Sequence, residues 1–161
     1  MKLFRKTISI STISVALIGA AHAIDAPGGV SIGQSLDEAR PVIKAACTET
    51  SEQEYKGAMA APAKETQTQL NCHGLKAYEG KSKVEYMFND GTLAFVWLML
   101  EPEILASIEL QLIAEYGDIA YANDNYRVFE NGVVALRGDP PEILIASKEM
   151  MRGITGLPIS E

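Results

Sequence analysis

Apolar residues first fall into register at Leu36, Ala39, Val42, Ile43 and Ala46, the three- and four-residue spacing of one helix face. Ser35 precedes this run and Glu38 follows three residues later, the signature of a capping box. Pro41 lies inside the helix and is expected to bend or shorten it. From 48 to 68, "TETSEQEYKGAMAAPAKETQT" is polar, Ala-rich and without a clear period, and we read it as a long loop. Around Gln69 the period becomes two. "TQLNCHG", "KVEYMF" and "TLAFVWLMLE" are three candidate strands, and Asn89-Asp90-Gly91 between the last two is a hairpin turn, because Asn, Asp and Gly tolerate positive φ. The third strand is apolar on both sides, with Leu93, Phe95, Trp97 and Met99 on one and Ala94, Val96, Leu98 and Leu100 on the other. Such a strand belongs in the middle of a covered sheet. A second helix opens near Pro102 and ends at Gly117, with a stripe of Leu105, Ile108, Leu112 and Tyr116 widened by Ile104, Leu110 and Ile113. "YRVF", the turn at Glu130-Asn131-Gly132, "VVALRG", the break at Asp139-Pro140-Pro141 and "EILIAS" follow, and "SKEMMRGI" closes the chain as a short helix.

Two octapeptides, "FNDGTLAF" from Phe88 and "FENGVVAL" from Phe129, share one pattern of aromatic, polar, Asx, Gly and apolar positions. Taken as corresponding turns, they divide the chain into two related units, about 30–100 and about 101–152. The fold expected is α+β: two helix-plus-antiparallel-hairpin units, in the order α-β-β-β-α-β-β-β, packed as one two-layer domain over 24–161. Each unit alone leaves a sheet face open, and two together can bury it.

The first residues change the compartment. Lys2, Arg5 and Lys6 precede the apolar "ISISTISVALIGAA", and Ala21-His22-Ala23 is a small-x-small cleavage site, so 1–23 reads as a Sec-type leader cleaved after Ala23. The expected location is periplasmic or secreted. The leader holds three basic and no acidic residues, so the net charge of −7 becomes −10 once it is removed. An acidic chain without a basic run is a poor ligand for nucleic acid or an anionic membrane surface. Cys47 and Cys72, an even count in an exported chain, are expected to form a disulfide.

Chemistry is sparse. His73 is the one histidine outside the leader, and no G-x-S-x-G, P-loop or G-x-G-x-x-G motif occurs, so neither a catalytic triad nor nucleotide chemistry has a visible basis. One histidine and two oxidised cysteines do not make a zinc site. Asp118, Asn123, Asp124 and Asn125 gather oxygen donors without EF-hand spacing and read as a polar loop. Arg137-Gly138-Asp139 is explained as a strand break. The carboxylate pairs Glu101 with Glu103 and Asp139 with Glu142 sit at element ends, where they cap and solvate. No catalytic residue, cofactor or metal is expected. Phe95, Trp97 and Met99 are core by default and, if exposed, a partner-binding patch.

"GVSIGQSLDEARPVI" resembles the helix opening of the BamE-type (SmpA/OmlA) assembly lipoproteins, and the helix-plus-sheet order is similar to that of the β-lactamase inhibitory proteins. The lipid-bearing cysteine of the BamE-type proteins has no counterpart here. The resemblance implies a binding module without catalysis. The function expected is a soluble periplasmic, non-enzymatic binding or accessory protein engaging an envelope protein, with homo-oligomers possible and no stable membrane insertion. The alternatives are an exported inhibitor of a cationic hydrolase and, third, a small-ligand carrier or small enzyme.

Overall fold

A computed structural model describes residues 23–56, 65–78 and 81–160. The expected leader, except for Ala23, and positions 57–64 of the expected loop lie outside these residues. A short ribbon, β1 (Asp25–Ala26) with β2 (Val30–Ser31), leads into α1 (Leu36–Ala46). Four strands follow: β3 (Glu49–Lys56), β4 (Thr66–Lys76), β5 (Lys81–Asn89) and β6 (Thr92–Met99). After a 3-10 turn at Pro102–Ile104 come α2 (Leu105–Tyr116), β7 (Ile119–Ala122), β8 (Tyr126–Phe129), β9 (Val134–Gly138), β10 (Pro141–Ala146) and α3 (Lys148–Thr155). β3 to β10 form one antiparallel sheet in the order β3-β4-β5-β6-β10-β9-β8-β7.

This overturns the expected fold class. Over the described residues the protein is mostly β, a continuous eight-stranded sheet with a two-stranded ribbon and three short helices, and not a two-layer α+β tandem. Besides the β1–β2 ribbon, two strands of the large sheet escaped the sequence pattern. β3 occupies 49–56 of the expected 48–68 loop, and β7 lies inside the stretch read as polar loop. The twin octapeptides are also not equivalent: the first spans the β5–β6 turn, just before α2, and the second spans the β8–β9 turn, with another strand still to come. Their turns differ in backbone. Asp90 and Gly91 both have positive φ, 49° and 79°, as a two-residue hairpin loop of type I′ requires. At the second turn only Gly132 does; its N–H donates to the Phe129 carbonyl, and Asn131 Oδ1 accepts from the N–H of Val133 and Val134.

The sheet has an inner face under α1 and α2, and an outer face partly covered by α3. Leu70, Val84, Tyr86, Phe88, Val96, Leu98, Leu136 and Ile143 point inward against Ala39 and Ile43 of α1 and Ile108 and Leu112 of α2, all buried. Ser35 caps α1 as expected: its Oγ accepts from Glu38 N–H at 3.4 Å and donates to the Glu38 carboxylate at 2.7 Å. The helix runs on through Pro41 to Ala46. Its end is stapled to the sheet by the Cys47–Cys72 disulfide, with Cα atoms 5.5 Å apart. Gly74, φ +72°, makes the bulge in β4 beyond Cys72, where an added Cβ would strike the Thr48 side chain. In α2 the expected stripe is corrected at Leu110, which is 70% exposed. No helix among the described residues is long and apolar enough to cross a membrane.

Candidate binding surface

The outer face is built from alternate residues of the same strands. At one end Met87, Phe95, Val128, Ala135, Leu144 and Ala146 lie beneath Met151 of α3 and Ile159 of the segment that follows it. Ser147 caps α3, its Oγ accepting from Met150 N–H, and Arg152 Nη1 donates to the Ile159 carbonyl, which holds that segment down. The expected grouping of Leu93 with Phe95, Trp97 and Met99 fails because the β5–β6 register shifts between Met87 and Phe88. Leu93 thereby joins the inner core while Phe95 stays on the outer face.

Of the three proposed contact residues, Phe95 is only 4% exposed and is spent on the core under α3. Trp97 and Met99, further along β6, are half-buried, Trp97 still packed against the edge of that cluster. β10 and β9 bring Glu142 and Arg137 beside them, since Met99 pairs with Glu142 and Glu142 with Arg137; β8 adds Tyr126 opposite Arg137. The Arg137 guanidinium lies over the Trp97 ring at 4.9 Å from its centre, Tyr126 stacks at 6.5 Å with 30° between planes, and Phe95 meets the indole edge-on at 80°. A cation over an indole face and offset aromatic pairs are both attractive through the ring quadrupole.

Charge on this patch is neutralised internally. Arg137 Nη2 is 2.6 Å from Glu142 Oε2, and Lys83 Nζ is 2.6 Å from Glu85 Oε1 on neighbouring β5. Glu142 is 8% exposed, and burial pushes its carboxyl above the ordinary glutamate value, with Arg137 pulling the other way. Oε2 meets Arg137 as an ion pair without hydrogen-bond geometry, and Arg137 Nε is buried without an acceptor. Beyond the patch, β3 to β5 continue the face with linked polar side chains: Tyr55 hydroxyl to Gln69, Gln69 to Asn71, Asn71 to Ser51 and Gln67 to Asn89.

The sequence does not single out Arg137 or Tyr126 as site residues, and it groups Glu142 with Asp139 as a solvating end carboxylate, whereas Glu142 is buried. Arg137 was weighed only within Arg137-Gly138-Asp139, and the ion pair and Trp97 stack hold its side chain on the sheet instead of on an open loop. The only sequence signal for the trio is their position at strand ends with apolar neighbours. Asn89, Asp90 and Gly91 lie at the β5–β6 turn, where Asp90 Oδ1 accepts from the N–H of Glu65 and Thr66, a role in turn structure. Asn123 likewise organises its loop, accepting from Asn125 and Tyr126 N–H and donating to the Thr155 carbonyl. His73 is exposed on β4, as are Glu101, Glu103 and Asp139. Among the described residues no group of three or more His, Cys, Asp or Glu could hold a metal ion.

On the inner-face side a cavity of about 320 Å³ is lined by Ile24, Asp25, Glu115, Tyr116, Val133 and Val134. Burial and the Glu115 carboxylate push the Tyr116 hydroxyl far above the ordinary tyrosine range. Among the described residues the lining, which also includes Ala23, offers two carboxylates and one phenol, with no histidine, cysteine or serine. No protein-family model, curated protein or solved structure matches the chain.

Proposed function

We propose that the protein is a non-enzymatic binding module of the periplasm or cell exterior, freed from its leader after Ala23, that engages an envelope protein through the part of its outer face around Trp97. One observation carries the reading: Trp97, Arg137 and Tyr126, the residue types most enriched at binding hot spots, are stacked together half-buried on the outer face, at the margin of the cluster under α3. The Cys47–Cys72 disulfide supports an oxidising compartment.

The test is non-reducing capture from native envelope extract with the mature protein as bait, beside Trp97→Ala and Arg137→Ala. Retained circular dichroism with roughly 30-fold weaker capture by Trp97→Ala, about 2 kcal/mol, is the expected result. Undiminished capture by a folded Trp97→Ala protein sinks the proposal. The acidic balance of 21 Asp and Glu against 14 Lys and Arg favours a second reading, an inhibitor of a cationic hydrolase. In that case association slows steeply as salt rises.

A further inference from the structure

The sheet ends differently on its two sides. β7 is four residues long, its register against β8 shifts between Ile119 and Tyr121, and the Tyr121 hydroxyl is tied to Ser160. Shortness, a bulge and a covering segment are the usual means of blunting a sheet edge. Among the described residues β3 has none of these. It runs eight residues in unbroken register against β4, contains no proline, and has six residues exposed and two, Thr50 and Tyr55, half-buried. Its free side is a row of backbone N–H and C=O groups on which another strand can add.

Side-chain charge decides which strand. Thr50, Glu52, Glu54 and Lys56 lie on the inner-face side, and Glu49, Ser51, Gln53 and Tyr55 on the outer. A second copy of β3, paired across a two-fold axis normal to the sheet, must set residues of one face opposite each other. The two registers that keep seven residues paired place Glu52 against Glu52, or Glu52 against Glu54. Neither register sets a cation opposite Glu49 or Glu54, so the edge offers its own copy no charge complement. Arg40 neutralises Glu52 from α1 with two hydrogen bonds of 2.9 Å, whereas Glu49 and Glu54 have no ion pair among the described residues.

We propose that β3 is an edge-docking site for an extended segment of a basic protein, a strand with Lys or Arg at alternate positions that completes the sheet and meets Glu54 on one face or Glu49 on the other. The site is separate from the Trp97 patch and does not depend on it.

The probe is an end-blocked octapeptide of alternating threonine and lysine. Its binding is followed by fluorescence anisotropy, and the exchange of the backbone amides over 49–56 is read by mass spectrometry. Binding with Kd at or below about 1 mM, slowed exchange confined to 49–56, and at least about tenfold weaker binding to Glu49→Lys/Glu54→Lys are expected. Both substitutions are at exposed positions, and circular dichroism checks that the fold is kept. No binding up to about 1 mM overturns the proposal. So does equal binding of a threonine–glutamate peptide, of an alternately N-methylated lysine peptide, or to the charge-reversed variant.

Discussion

Replacing Cys47 and Cys72 together by alanine removes the one covalent tie between α1 and the sheet. The bridge closes a loop with a sequence separation of 25, which chain-entropy reasoning converts to about 3.5 kcal/mol of stabilisation through the unfolded state. Cys72 is completely buried, so losing its sulfur leaves a small void and adds roughly 1 kcal/mol. Urea unfolding of oxidised wild type, wild type in reductant, and the double variant separates the two contributions. Reduction reports the cross-link alone, and the difference between reduced wild type and the variant reports the packing. The slope against urea should rise on reduction, because an uncrosslinked unfolded chain exposes more surface. In thermal melts the cross-link corresponds to ~12 °C, taking ~0.3 kcal/mol per kelvin for a chain of this length. Oxidised and reduced proteins that unfold within about 1 kcal/mol of each other, with equal slopes, would refute the reasoning. Free thiols titrating in the denatured, unreduced protein would refute the bridge itself.

Other perturbations follow from single contacts. Tyr86 is fully buried and its hydroxyl donates to the Pro27 carbonyl at 2.8 Å, locking the β1–β2 ribbon onto the core; Tyr86→Phe should cost ~1–2 kcal/mol in urea unfolding, and an unchanged midpoint would contradict that role. The acid range should show two opposed glutamates. Burial raises the Glu142 carboxyl above 4.5, so its contribution to stability is greatest at low pH and is lost as pH rises through the raised value. Hydrogen bonds from Arg40 lower Glu52 below 4.5, so its contribution is present above that value and is lost as pH falls through the lowered one. Urea midpoints from about pH 3 to about pH 7 should therefore flatten in opposite senses for Glu142→Gln and Glu52→Gln, and slopes identical to wild type would dismiss both assignments.

What could be read from the chain was local. Ser35 with Glu38, the Asp90-Gly91 turn and the two-sided apolar strand at 92–99 each have a cause within a few residues, the cysteine pair follows from an even count, and the structure contains all four. β3 was illegible because neither of its faces is buried: an edge strand held by backbone pairing and polar side-chain bonds carries no hydrophobic period. β7 is too short and too bulged to show one. The likeness of the two octapeptides misled because an Asx-Gly turn marks a hairpin without saying which hairpin it is. Leu110 fits the stripe of α2 but faces outward, since sequence spacing does not say where the sheet ends beneath a helix. The Trp97 patch depends on β6 lying next to β10 and β9, a pairing across some forty residues that no short window contains.

That central pairing also sets an order of events. β6 is flanked by β5, which precedes it, and by β10, which is among the last segments to be made. Until residues 141–146 exist, the most apolar strand of the protein has one bare side, the backbone edge from Phe95 to Met99. A growing chain therefore passes through a long interval in which its stickiest edge is uncovered, the situation that invites aggregation. The left half of the sheet cannot be closed early by anything the right half has yet supplied, so completion comes late and all at once. A protein wired in this way gains from being held unfolded until its final strand has emerged.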